Sequence, residues 1–254
     1  MEPLGLPTYG ILGLVGFAAG FVDSIAGGGG LITIPALLSA GLPPHLALGT
    51  NKLQSSFGSL TATLTYRRHG LVRVRQTLLG VLFTAIGAAA GTLTIQRIPP
   101  TFLRQAIPIL LVAIFVYTLL SPRLGERHGP ARLSSPIFHL ICGLSIGFYD
   151  GFFGPGTGSF WAIGYVALLG FEFTRATAWT KVMNFTSNFT ALVFFALGRN
   201  VILLPGLVMG AGQALGAVAG SRMVVRRGAK FVRAFFLIAV AATLLRLIYQ
   251  TYFR

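Results

Sequence analysis

The chain has 254 residues, 54% of them hydrophobic and only 10% charged, with a mean hydropathy of +0.77. Soluble domains carry about 25% charged residues, so a mainly water-facing surface is excluded. The net charge of +15 sits in short loops between apolar runs, which reads as membrane topology and not as a nucleic-acid surface.

Ten apolar segments follow in chain order: 8–26, 31–41, 46–66, 76–96, 102–120, 136–153, 158–170, 176–197, 201–221 and 231–250. Most approach the roughly 20 residues that cross a hydrocarbon core of about 30 Å. Segments 31–41 and 158–170 are too short to do so. Each follows a glycine-rich break, Gly27-Gly28-Gly29-Gly30 in one case and Gly154-Pro155-Gly156-Thr157-Gly158 in the other. Each break with its flanks reads as a broken helix or a helical hairpin. Met1–Tyr9 holds Glu2 and no Lys or Arg, so the start lacks the basic region of a cleaved signal peptide.

The breaks mark an internal repeat. The first half reads DSIAGGGGLITIP and then ALGTNKLQSSFGSLTATL; the second reads DGFFGPGTGSFWA and then ATAWTKVMNFTSNFTALV. Asp23 matches Asp150, Gly27 and Gly29 match Gly154 and Gly156, Lys52 matches Lys181, and Thr61-Ala62 matches Thr190-Ala191. Identity is low, four of 18 positions in the second block, and the order of features carries the comparison. The expected layout is a first repeat over 1–120, a cytoplasmic linker over 121–135 and a second repeat over 136–254. Each repeat would contain a glycine-broken hairpin and three spans, in an all-α polytopic membrane protein of about 8–10 membrane segments.

Loop charge predicts that the repeats are inverted. Loop 67–75 holds Arg67, Arg68, Arg73 and Arg75, and its counterpart near 198–200 holds only Arg199. Loop 222–233 holds Arg222, Arg226, Arg227, Lys230 and Arg233, and its counterpart 97–104 holds Arg97 and Arg104. Positive loops stay cytoplasmic. The linker, with Arg123, Arg127 and Arg132 against Glu126, then lies inside, and both termini lie outside. Inverted repeats with broken helices are the architecture of many secondary transporters.

The candidate site follows from the breaks and the lysines. Irregular backbone at membrane depth is tolerated where it is buried in protein or lines a cavity. Where a helix restarts, its free N–H groups attract anions, and glycine lets a ligand come close. The alternative is that these glycines only allow tight helix packing. Lys52 and Lys181 each lie about six residues, roughly 9 Å, inside an apolar segment. Ser55 and Ser59 share a helix face with Lys52, and Asn184 and Asn188 share one with Lys181. An intramembrane lysine is a site candidate unless it snorkels to the interface. Asp23 and Asp150 stand just before the breaks, placed to cap the freed N–H groups, to pair with the lysines, or to carry a coupling proton.

Other residues carry less. Cys142 is the only cysteine, so no intramolecular disulfide forms, and no metal-ligand spacing surrounds it. His139 and Cys142 lack a third partner for nucleophilic chemistry. Gly27–Gly30 is not followed by the Gly-Lys-Ser/Thr of a phosphate loop. Trp161 and the phenylalanines read as packing or lipid-facing residues, and Trp179 as an interface anchor.

DSIAGGGGLITIPALLSAGLPPHLALGTNKLQSSFGS resembles the N-terminal signature of the sulfite exporter TauE/SafE family, also called the 4-toluene sulfonate uptake permease family. GFYDGFFGPGTGSFWAIGYV followed by ATAWTKVMNFTSN is similar to its second-half signature, and the resemblance runs through the whole chain in order. It implies a bacterial-type inner-membrane transporter of small sulfur-containing anions such as sulfite or organosulfonates. It also implies that the breaks, Asn51-Lys52 and Lys181…Asn184 form the substrate region. Thr180 stands where the first half has Asn51, so the half-sites are not equivalent.

The reading is a secondary transporter, acting as an exporter, that works by alternating access with a site between the repeats. Its substrate-binding residues would be Gly27, Gly28, Gly29, Gly30, Asn51, Lys52, Ser55, Gly154, Gly156, Thr157, Thr180, Lys181, Asn184 and Asn188. Asp23 and Asp150 would serve in proton coupling or structural pairing. The alternatives are a passive anion channel and an intramembrane enzyme, the second lacking any catalytic set in the sequence. The expected partners are the anion and membrane lipid, with no nucleic acid, cofactor or metal, and nothing in the sequence calls for a homo-oligomer.

Overall fold

The computed structural model describes residues 5–120, 130–227, 244–245 and 247–251. Among these the long elements are all α-helices: α1 (Leu6–Ala26), α2 (Gly30–Ser39), α3 (Pro44–Arg68), α4 (Leu78–Ile95), α5 (Pro100–Leu120), α6 (Ser135–Phe152), α7 (Thr157–Leu169), α8 (Phe173–Leu197) and α9 (Leu203–Arg227). They coincide with nine of the ten apolar segments. The tenth, 231–250, lies outside the described residues except at 244–245 and 247–250, and so does most of the linker, 121–129. One loop is shorter than its charge pattern suggested, because α9 continues through Arg222 to Arg227.

Helix starts follow local chemistry. Prolines stand in the first turn of α1, α3 and α6, where the missing N–H has no helical partner to lose. Four segments, Leu6–Ile25, Arg75–Ile95, Pro100–Leu120 and Leu203–Val225, are long and apolar enough to cross a membrane. Leu78, Leu82 and Ile86 of α4 and Leu203, Leu204 and Leu207 of α9 are exposed, an outward apolar face suited to lipid. The protein is therefore a multi-pass, all-α membrane protein.

The short helices double back. α2, with 10 residues, and α7, with 13, rise only about 15 and 20 Å. Leu12 early in α1 packs in one cluster with Leu37 late in α2. In the same way Phe138 early in α6 meets Tyr165 late in α7, ring centroids 5.0 Å apart. Each break is thus the tip of a helical hairpin. The hairpins open at opposite ends of the molecule. Leu12 and Leu37 cluster with Ala47 and Met209, near the starts of α3 and α9. Tyr165 packs instead on Trp179, near the start of α8 and beside the loop that ends α3. α3 and α8 run antiparallel between them: the Ile202 N–H after α8 bonds Thr50 Oγ1 at the start of α3, while Gly70 and Arg73 after α3 stand by Arg175.

Two other helix pairs close the structure. α1 lies parallel to α9, with Gly16 against Met209, Gly20 against Gln213 and Gly220 against Phe21. α6 lies parallel to α4, with Gly147 against Thr84 and Gly151 against Ala88. Glycines recur every fourth residue at Gly212, Gly216 and Gly220 of α9 and at Gly143, Gly147 and Gly151 of α6. Such stripes let helices approach backbone to backbone in lipid, where the hydrophobic effect does not drive helices together.

Candidate functional site

The two hairpin tips meet at the centre of the molecule. A Cβ built on Gly27 would lie 2.6 Å from Gly158 Cα, so the backbones touch directly. Gly27 also has φ 74, a conformation that side chains rarely adopt. Gly27 and Gly158 are therefore packing glycines, in line with the tight-packing alternative.

The lysines arrive from the central helices α3 and α8. Both are fully buried, which excludes snorkelling. Lys52 Nζ lies 2.7 Å from Asp150 Oδ1 and also donates to the Asp150 carbonyl. Lys181 Nζ lies 3.2 Å from Asp23 Oδ2 and donates to the Asp23 carbonyl. The pairing is crossed: each lysine binds the aspartate of the hairpin from the other half of the chain. Burying four charges is costly unless each is paired and hydrogen-bonded.

The aspartates are held differently. Asp23 Oδ1 accepts the N–H groups of Gly28 and Gly29 at 3.1 and 3.2 Å. This carboxylate caps the first break, so two of the N–H groups expected to be free for an anion are already occupied. Asp150 Oδ2 accepts from Ser187 Oγ. The Asp150 side chain is 3% exposed and that of Asp23 is 17%, so the Lys181–Asp23 pair is the longer and more accessible of the two.

A polar cavity of about 30 Å³ lies where the tips and central helices converge. It is lined by Asp23, Gly28, Gly30, Asn51, Lys52, Ser55, Asp150, Gly154, Thr157, Asn184 and Asn188, all expected individually from the sequence, and by Gly158, the last residue of the second break. A Cβ on Gly154 would sit 2.7 Å from Lys52 Nζ, so only glycine leaves room for the ammonium. Asn51 Oδ1 accepts from Thr33 Oγ1 at 2.6 Å and from Gln54 Nε2 at 2.8 Å, which fixes its amide. Buried Asn184 Oδ1 has no hydrogen-bond partner.

Five named residues do not line the cavity. Gly27 is spent on the tip contact. Gly29 packs under Asp23 Cβ and donates to its carboxylate. Gly156 turns towards Ile114 of α5. Thr180 is buried with its hydroxyl unpartnered. Lys181 stands behind Gly158, its Nζ 3.6 Å from where a Cβ on Gly158 would be. Ser187, which holds Asp150, belongs to the polar face that the sequence places around Lys181, though it was not among the expected substrate-binding residues. Trp179 is buried against His139, rings 6.2 Å apart and near parallel, and is not an interface anchor.

Helical hairpins that enter from opposite ends, with buried charges where their tips meet, define a membrane protein of transporter type. The chain belongs to the Sulfite exporter TauE/SafE family, whose profile matches residues 12–247. It is 46% identical over 243 residues to the Probable membrane transporter protein YfcA of Escherichia coli K12, covering 96% of this chain and 90% of that one. It is also 46% identical to a Probable membrane transporter protein of Haemophilus influenzae Rd, covering 91% and 90% of the two chains. The Probable membrane transporter protein ORF9 of a Sinorhizobium species is 46% identical over 98% of this chain and 95% of its own. No solved structure matches.

Proposed function

We propose that the protein is a secondary transporter that exports a small sulfur-containing anion, such as sulfite or an organosulfonate, across the inner membrane. The observation that carries this reading is the crossed pairing of Lys52 with Asp150 and Lys181 with Asp23 around one polar cavity. The two repeats, 1–120 and 136–254, would lie inverted, with both termini outside and the linker inside. The opposed hairpins and the antiparallel α3 and α8 support that arrangement.

The cavity has room for about one or two waters. An organosulfonate needs more, so the tips must part to admit it, and alternating access supplies that motion. Backbone contact between Gly27 and Gly158 supports a gated carrier over an open channel. On opening, Lys181 would turn from Asp23 towards the anion while the Gly28 and Gly29 N–H groups keep Asp23 satisfied. Amide groups of Asn51 and Asn184 and the Ser55 hydroxyl would complete the oxyanion contacts.

Purified protein in liposomes tests the reading with a panel of sulfite, sulfate, thiosulfate, sulfonates and carboxylates. Accumulation of one sulfur anion against its gradient is the expected result. Flux that only equilibrates the anion would make the protein a channel, and chemical turnover of a substrate would make it an enzyme.

A further inference from the structure

A second cleft, of about 300 Å³, opens between the Gly70–Gln76 loop and the start of α8. Arg73, Gln76, Glu172, Arg175 and Trp179 line it. Arg175 lays its guanidinium over the Phe171 ring, 4.1 Å from the centroid, and stands 5.4 Å from that of Trp179. A guanidinium stacked on its face keeps its N–H edge available for an oxyanion. The ion pairs among the described residues are Lys52–Asp150 and Lys181–Asp23, so neither Arg73 nor Arg175 has a carboxylate among the described residues within pairing distance. Glu172 is the acid of the cleft, and its Oε1 accepts the Thr174 N–H at 3.2 Å, which turns it to the helix end. Trp179 is locked by His139 on its face and by Phe171 and Tyr165 at its edge. The cleft thus combines two cations, unpaired among the described residues, with a fixed aromatic wall.

We propose that this cleft binds an oxyanion of the sulfonate, sulfate or phosphate class, with the anion on Arg73 and Arg175 and any apolar part on Trp179. It stands at the start of α8, on the side where the α6–α7 hairpin opens, and would serve transport as a vestibule on that side. Its role as a vestibule rests on the transport reading; its binding does not. The same chemistry is offered by a free oxyanion and by the phosphate of an anionic lipid.

The Trp161→Phe variant leaves Trp179 as the sole tryptophan, because the chain has two. In neutral detergent, sodium sulfate titrated at constant ionic strength against chloride should change Trp179 emission saturably. Arg175→Gln, Arg175→Lys and Arg73→Gln should each weaken that response at least tenfold. Arg73 is exposed, so its variant tests the claim without a packing defect. In nanodiscs free of sulfate, an emission difference between phosphatidylglycerol and phosphatidylcholine that disappears with the same variants would assign the site to lipid phosphate. No arginine-dependent change in either arm overturns the proposal. Because the readout is binding, it stands or falls separately from transport.

Discussion

The Lys52 ammonium on α3 lies 2.7 Å from the Asp150 carboxylate on α6, and both side chains are almost completely buried. Removing one partner leaves a buried unpaired charge, at a cost of about 3–5 kcal/mol. Lys52→Met should therefore lower the thermal midpoint sharply, and Lys52→Met with Asp150→Asn should recover most of that loss. Transport should stay absent in both. Thermal unfolding in detergent and flux in liposomes separate the two effects, and full transport by the stable double variant would remove Lys52 from the substrate site.

The Lys181–Asp23 pair supports a prediction about energy coupling. Asp23 keeps two backbone N–H bonds when Lys181 leaves it, so its carboxyl group stays hydrogen-bonded without a partner that moves with the anion. The anion would then carry its charge across uncompensated. An inside-negative potential of 100 mV is worth about 2.3 kcal/mol per charge, or roughly a 50-fold shift in the equilibrium anion ratio towards the outside. A potassium gradient with valinomycin sets this potential in liposomes. Anion distribution that ignores the potential but follows an imposed pH gradient would show that an aspartate carries a proton instead.

Much of this site is legible in the sequence because membrane chemistry makes polar residues conspicuous. Two lysines and two aspartates within apolar segments, each beside a glycine break, can hardly be passive. Their partners are not legible. Asp23 and Lys52 are close in sequence, yet each pairs across the molecule, because the hairpins enter from opposite ends and bring their tips to the other half's lysine. The functions of the glycines are equally hidden. Gly27, Gly29 and Gly156 look equivalent to Gly28 and Gly154 in a run of small residues, and only the fold sets which face the cavity and which face a neighbouring backbone. Trp179 was misread for a related reason: a tryptophan near a helix end suits an interface, but the start of α8 is covered by α7 and the Gly70–Gln76 loop.

The contact between Gly27 and Gly158 makes the tips intolerant of a single methyl group. Gly27→Ala would place Cβ 2.6 Å from Gly158 Cα on a backbone with φ 74. Folded yield or transport should fall severely. Gly10→Ala, where nothing lies within 4 Å, should behave like the unaltered protein. Monodisperse yield and flux compare the two, and equal behaviour would mean that the tips do not pack this way in the membrane.

The antiparallel course of α3 and α8 places the arginine-rich loop after α3 at one end of the molecule and the α4–α5 connection at the other, since Asn200 Nδ2 donates to Gln96 Oε1 at 2.9 Å there. Positive residues mark the cytoplasmic side, so His69 should face the cytoplasm and Thr101 the periplasm. Both are exposed. In a Cys142→Ala background, His69→Cys and Thr101→Cys can be treated on whole cells with a membrane-impermeant maleimide. Thr101→Cys should label directly and His69→Cys only after the membrane is permeabilised. Labelling of both from one side would mean that α4 does not cross the membrane, and the reverse pattern would turn the whole molecule over.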